Sequence, residues 1–181
     1  MNIAEAKSDI EILFASADIA KRNEELAEEI ASSMGSDILV IAVLKGSFVF
    51  AADLIRALHH AGVKPQIDFM ALSSYGDKTV SSGNVMITRD IVDTVKGRKV
   101  LLIDDILESG RTMAFATQEL LERGADTVKT CLMLDKKGKR VSGFEADFVG
   151  FDCPDLFVVG YGLDYAHYYR ELPYIGYIVK H

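Results

Sequence analysis

The segment with the clearest chemical content is VLLIDDILESGRTM, residues 100–113, where polar side chains follow an apolar run and precede a helical pattern. In Glu108-Ser109-Gly110-Arg111-Thr112, Gly110 permits tight backbone geometry and Ser109 and Thr112 bring hydroxyls. The helix that begins there presents free N–H groups at the positive end of its dipole, and together these features suit a phosphate. Asp104 and Asp105 lie just upstream, and ionised carboxylates accept hydrogen bonds from vicinal sugar hydroxyls directly or hold them through a magnesium ion. A phosphorylated sugar would satisfy both features at once. Two acids alone could equally be solvated at a strand end, but the phosphate-type loop directly after them favours a site. The segment lacks both the G-x-x-x-x-G-K-[ST] of a P-loop and a G-x-G-x-x-G opening a helix, which removes the main support for ATP or dinucleotide binding.

Around this segment, apolar runs alternate with helical periods. Ile19, Leu26 and Ile30 fall near helical spacing and predict an amphipathic helix over 16–34. Residues 38–44 (ILVIAVL) are too short for a buried helix and rich in β-branched side chains, so they read as a strand buried on both faces. The Lys45-Gly46-Ser47 turn follows, with Ser47 placed to cap a helix to about His60, and a strand resumes over 63–72. Residues 73–83 (SSYGDKTVSSG) have no apolar period and read as a mobile loop of the kind that closes over sites. Further strands are expected over 85–89, 99–103, 128–134, 148–151 and 157–161, with a helix over 112–123. Strands that are unbroken apolar runs between helices predict a mainly parallel α/β sheet with helices on both faces. Ligands in such folds bind beyond the carboxyl ends of the strands.

The chain has 181 residues, enough for one domain, and 49% are hydrophobic, enough for a core. With 20 Lys and Arg against 27 Asp and Glu the net charge is −7, which argues against general nucleic-acid binding. The longest apolar run is far shorter than the ~20 residues of a membrane span. The acidic start, MNIAEAKSDIEILF, has no export signal, and Cys131 and Cys153 have no metal-type spacing; both point to a cytoplasmic protein with reduced thiols.

IDDILESGRT resembles the signature of the type I phosphoribosyltransferases: an apolar strand, two acids, two apolar residues and an acid-Ser/Thr-Gly-x-Thr loop. Three further segments, LKGSFVFAADL, DFMALSSYG and DLFVVGYGLDYAHYYRELPYIG, are similar to the hypoxanthine-guanine branch of that family and extend the resemblance over most of the chain. The resemblance implies a single domain over 1–181, with the terminal segments forming a small base-binding hood above the sheet. It also implies transfer of a phosphoribosyl group from 5-phosphoribosyl diphosphate to a 6-oxopurine, with Mg2+ as cofactor and a homodimer or homotetramer as the assembly.

Residue by residue, the resemblance implies that Asp104, Asp105, Ser109, Gly110, Arg111 and Thr112 hold ribose and phosphate. Lys45 and Gly46 match a diphosphate loop with a non-proline cis peptide, Ser74 and Tyr75 the start of the closing loop, and Arg170 a further diphosphate contact. Asp164 matches a ligand of diphosphate-bound magnesium, with Asp104 and Asp105 as further metal candidates. Phe157 matches the aromatic that stacks on the purine, Val158 and Ile106 line the base, and Lys136 donates to its 6-oxo group. Without that match, the run from Lys136 to Arg140 reads as a solvated basic turn.

Two positions depart from the pattern. Glu108 stands where the family usually has Asp as the acid/base group near purine N7, and Asp104 where Glu is the commoner first acid. The intact Ser109–Thr112 loop leads us to expect that Glu108 keeps the role through an adjusted loop. The alternatives at this stage are an enzyme preferring xanthine or a pyrimidine, a regulatory RNA-binding protein on the same fold, and a non-catalytic nucleotide sensor.

Overall fold

The computed structural model describes residues 10–75 and 84–179. Its elements in chain order are β1 (Ile10–Phe14), α1 (Ser16–Met34), β2 (Leu39–Leu44), α2 (Phe48–His60), β3 (Gln66–Tyr75), β4 (Asn84–Arg89), β5 (Lys99–Leu107), α3 (Arg111–Glu122), β6 (Thr127–Asp135), β7 (Phe148–Asp152), β8 (Val158–Val159) and β9 (Ile175–Ile178). Six strands form one sheet in the order β4-β3-β2-β5-β6-β7, parallel except for the antiparallel edge strand β4.

Alternation along the central strands sends side chains to two separate cores. Val40, Ala42, Leu101, Ile103, Cys131 and Met133 face α1 and α2, whose buried stripes include Ile19, Leu26 and Ile30, and Phe50, Leu54 and Leu58. Leu39, Ile41, Val100, Leu102 and Leu132 face the other way, onto Met113, Ala116 and Leu120 of α3. Both strand faces are apolar because both are covered, as in parallel sheets generally. The expected α/β architecture with helices on both faces is therefore present. Among the described residues, no helix is long and apolar enough to cross a membrane.

A second, three-stranded sheet, β1-β9-β8, joins the two ends of the chain: Ile10 pairs with Ile178, and Val158 with Tyr177, both antiparallel. These strands near the two termini thus form a small sheet of their own beside the main one.

Four local expectations need correction. Ser47 makes no side-chain cap to α2; its buried hydroxyl donates instead to the Val43 carbonyl at 2.6 Å, fastening the turn to β2. The third strand starts at Gln66 rather than residue 63, since Lys64 N–H is already used by Ser36 O and Pro65 has no N–H for a ladder. It continues through Ser73, Ser74 and Tyr75, which pair with Met86, Val85 and Asn84 of β4, so the loop begins later than its polar composition suggested. The proposed closing segment 76–83 lies outside the described residues. Finally, the strand expected over 157–161 is only Val158–Val159, because Gly160, Tyr161 and Gly162 all take positive φ (94°, 51° and 98°) and turn the chain away.

A buried polar relay anchors that turn. Tyr161 Oη donates to Asp53 Oδ2 of α2 at 2.7 Å and accepts from Asn23 Nδ2 of α1 at 2.8 Å. Burial and the bond to Asp53 push the phenol well above its ordinary pKa, so it stays protonated as a donor. Tyr161→Phe leaves the buried Asn23 amide without that acceptor, while Asp53 keeps its pair with Arg56, and a buried group left without its partner costs about 1–3 kcal/mol. Urea denaturation is expected to show a loss of that size; an unchanged midpoint would mean that the relay contributes nothing.

Candidate active site

The polar residues singled out in the sequence gather at the carboxyl edge of the main sheet. β5 runs past Ile103 to Leu107, so Asp104 and Asp105 are strand residues rather than residues beyond a strand end. Each carboxylate accepts from the next backbone N–H, Asp104 Oδ1 from Asp105 at 2.9 Å and Asp105 Oδ1 from Ile106 at 2.7 Å. Burial raises the Asp104 carboxyl well above the usual carboxylate range, and the neighbouring Asp105 charge adds to it. Asp105 is raised too, by burial; its bond with Asp104, two backbone N–H groups and the Arg170 charge pull the other way.

Gly110 takes φ +82° and α3 starts at the next residue, so the helix N-terminus opens directly onto the loop. A side chain at 110 would meet Ser142 Oγ at 2.3 Å, which is a second reason for glycine here. Asp104, Ile106, Leu107, Glu108, Ser109, Gly110, Thr112 and Met113 line a cleft of about 170 Å³ at this N-terminus. Ser109 Oγ accepts from Arg111 N–H at 3.3 Å.

The segment after β6 packs on the same loop. Ser109 O accepts from Val141 N, Ser142 N and Ser142 Oγ, at 3.2, 3.2 and 3.0 Å, and Arg140 Nε donates to Glu108 O at 3.0 Å. Arg140 also pairs with Asp135, which is 2% exposed, and donates to Phe144 O. The basic run is thus only partly solvated: Lys137 and Lys139 form surface pairs with Asp152 and Asp155, whereas Arg140 is a buried clamp. Sequence reasoning missed Arg140 and Asp135. The available signal was Asp135 itself, an acid directly after an apolar run, as Asp104 and Asp105 are. Lys136 is buried as well, and its Nζ donates to Glu108 Oε1 at 2.9 Å.

The third wall is the Lys45-Gly46 turn after β2. The Leu44–Lys45 peptide is cis, Lys45 is exposed, and a side chain at Gly46 would sit 1.6 Å from Asp105 Oδ2. Gly162 fits against the other side of this turn, with space only 2.2 Å from Gly46 O where a Cβ would stand. Gly162 O accepts from Arg170 at 2.6 Å, and Arg170 pairs with Asp164 at 2.7 Å. Asp164 Oδ2 also accepts from His167 N–H at 2.8 Å. Gly162 carries a contact that the sequence reading did not assign.

Other expected site residues stand apart from these contacts. Phe157 is half exposed directly before β8, with its ring edge-on to Tyr165 at 5.5 Å, while Val158 is buried beside it. Ser74 and Tyr75 are placed by backbone pairing with β4 alone. The three carboxylates expected as metal ligands do not converge. Asp104 and Asp105 belong to β5 and Asp164 to the arginine-paired turn, and among the described residues no group of three or more potential ligands forms a metal centre. This donor set still fits magnesium, which is commonly held by one or two carboxylates together with substrate phosphates and water.

Comparison with known proteins agrees with this geometry. The phosphoribosyl transferase domain family matches residues 9–166. The hypoxanthine-guanine phosphoribosyltransferase of Bacillus subtilis strain 168 is 46% identical over 94% of this chain and 94% of its own. The hypoxanthine phosphoribosyltransferase of Escherichia coli K12 is 38% identical over 96% and 97%. A solved hypoxanthine phosphoribosyltransferase structure from Staphylococcus aureus superposes with a TM-score of 0.90 at 38% identity, covering 99% of this chain and 96% of that one.

The raised carboxyls fix the sign of a stability effect. A carboxyl whose native pKa lies above its unfolded value binds a proton better when folded, so stability falls as pH rises between the two values and the full deficit persists above the native one. Asp104→Asn keeps the acceptor and removes the charge, so it should raise Tm at pH 7 by about 2–4 °C, the shift that ~1 kcal/mol gives at this size. The gain should fade as pH falls toward ~4, the ordinary Asp value. Calorimetry across that range checks both; a lower Tm for the variant at pH 7 would contradict the assignment.

Proposed function

The chain belongs to the phosphoribosyl transferase domain family and, within it, to the hypoxanthine-guanine phosphoribosyltransferases, and from that premise we propose how it works as a purine-salvage enzyme. It converts hypoxanthine, and guanine, with 5-phosphoribosyl diphosphate to IMP or GMP and diphosphate. The observation that carries this reading is the cleft where Asp104, Glu108, Ser109, Gly110 and Thr112 meet at the N-terminus of α3.

In this reading the 5′-phosphate lies on the Ser109–Thr112 backbone and hydroxyls, where the helix N-terminus supplies donors without reorganisation. Asp104 and Asp105 accept from the ribose hydroxyls, and the hydroxyl protons relieve two largely buried carboxylates whose hydrogen bonds otherwise come from the backbone and from each other. Lys45, the Gly46 backbone, Ser74, Tyr75 and Arg170 surround the diphosphate. Asp164, Asp104 and Asp105 are the protein carboxylates that would hold a diphosphate-bound magnesium ion, which would supply charge neutralisation there. Phe157, half exposed, offers a face to the purine, Val158 and Ile106 line it, and Lys136 donates to its 6-oxo group. Glu108 serves N7 as the acid/base group. The transition state gathers positive charge on the sugar, so holding the partners in line and excluding water supply much of the rate.

The two free, buried cysteines suit a reducing compartment, which supports a cytoplasmic location. A homodimer or homotetramer is the assembly expected, with exposed Ile12, Phe48 and Met86 as apolar surface to cover.

Diphosphate release measured with magnesium, 5-phosphoribosyl diphosphate and each of hypoxanthine, guanine, xanthine, adenine and uracil tests the reading. Rapid release is expected with hypoxanthine or guanine and little with adenine or uracil; release with no base would overturn it in favour of a sensor. Glu108→Gln should lower kcat by about 100-fold or more, the usual weight of a general acid/base group. A rate within twofold of the parent would remove Glu108 from that role.

A further inference from the structure

Glu108 and Lys136 are the residues directly after β5 and β6, neighbouring parallel strands whose last paired residues are Leu107 and Asp135. Lys136 N–H donates to Leu107 O at 2.9 Å, so the register itself sets the two side chains next to one another. The ammonium is buried, its side chain 6% exposed, and among the described residues its hydrogen-bond acceptor is Glu108 Oε1 at 2.9 Å. The glutamate backbone cannot yield easily, because Arg140 holds its carbonyl and three donors hold that of Ser109. Its carboxylate is 44% exposed on the side chain and can rotate. The ion pair therefore joins the group that reads the base to the group that acts on it.

We propose that this ion pair is a specificity latch, an inference that rests on the reading of the site given above. In the free enzyme Glu108 Oε1 is the acceptor that holds the Lys136 ammonium, the group that a 6-oxo oxygen needs as its donor. A 6-oxopurine replaces Glu108 Oε1 with its own oxygen as the acceptor for Lys136, and the same exchange frees the carboxylate to turn toward the ring. A 6-amino group is a donor, makes no such exchange, and leaves Glu108 latched. Recognition of the 6-position and delivery of the acid/base group are then one event, and an aminopurine is rejected both in binding and in turnover. Glutamate rather than aspartate is what makes the latch possible, since from the same clamped backbone an aspartate has about 1.3 Å less reach.

The test is the affinity of the parent and Glu108→Asp proteins for IMP and for its 6-amino counterpart AMP, by titration calorimetry. The two nucleotides share ribose and phosphate, so their difference is confined to the 6-position and the adjoining N1. With no pair to break, Glu108→Asp should bind IMP about 3- to 10-fold more tightly while AMP affinity stays within twofold, and its kcat for adenine should rise relative to that for hypoxanthine. In a Lys136→Gln background the Glu108→Asp change should give no gain in IMP affinity. Equal changes for IMP and AMP, or an equal gain in the Lys136→Gln background, would overturn the latch. A parent protein that releases diphosphate with hypoxanthine while its variants show these equal changes loses only the latch; a parent that neither binds IMP nor releases diphosphate overturns the function itself.

Discussion

At the carboxyl edge of the sheet, the Gly46 and Gly162 backbones and the Asp105 carboxylate, from distant parts of the chain, meet with no room for a further side chain between them. A Cβ on Gly46 would fall 1.6 Å from Asp105 Oδ2, and one on Gly162 would fall 2.2 Å from Gly46 O. The glycine at 162 is required twice, by that contact and by its φ of +98°. Asp105 in β5 thus sits directly on the turn after β2, and that turn sits on the loop that carries Asp164 and Arg170. Close-packed backbone does not deform gradually. The groups proposed for sugar and for diphosphate are held at fixed relative positions before any substrate arrives, which is what catalysis by positioning requires.

The same compactness sets the electrostatics. Two cations of the site already have partners: Arg170 holds Asp164 and the Gly162 carbonyl, and Lys136 holds Glu108. Asp104 and Asp105 accept from backbone N–H groups and contact each other, and their carboxyls are raised by burial more than these bonds and the Arg170 charge on Asp105 can offset. This is an unfavourable arrangement for the folded chain alone. It becomes favourable when a ligand brings hydroxyl donors or a cation to it, so stability given up in the free protein returns as binding. The Arg140–Asp135 pair serves a different end, fixing the Glu108 carbonyl.

How much of this the sequence disclosed depends on whether the signal was local. The central strands were legible because both faces are buried, leaving unbroken apolar runs such as residues 38–44. The phosphate-type loop was legible because Glu108 to Thr112 are contiguous and open a helix. Strand ends were less so: β5 carries two acids inside its last turn of pleat, and β3 continues through Ser73 and Ser74, because ladder pairing with β4 and β6 outweighs local polarity. The role of Arg140 and the pairing of Glu108 with Lys136 were not legible, since they depend on which strands lie side by side. A glutamate in place of an aspartate reads as a defect along the chain and as a longer arm once the neighbouring strand is known.

Topology explains why that neighbouring strand matters. β2, β5 and β6 are consecutive in the sheet, and each crossover returns the chain to the same end, so Lys45, Glu108 and Lys136 all emerge at one edge although some 60 and 30 residues separate them in sequence. The strand register then fixes which of these residues can touch. The Leu107–Asp135 pairing brings positions 108 and 136 together and leaves Lys45 beyond that contact. Changing the length of one side chain at such an edge leaves the fold intact, since the backbone on either side is already fixed by hydrogen bonds to Arg140, Val141 and Ser142. What changes is only the set of atoms that the side chain reaches. A parallel sheet with clamped strand ends therefore lets chemistry vary at its edge without disturbing the packing that supports it, and position 108 is where this chain has used that freedom.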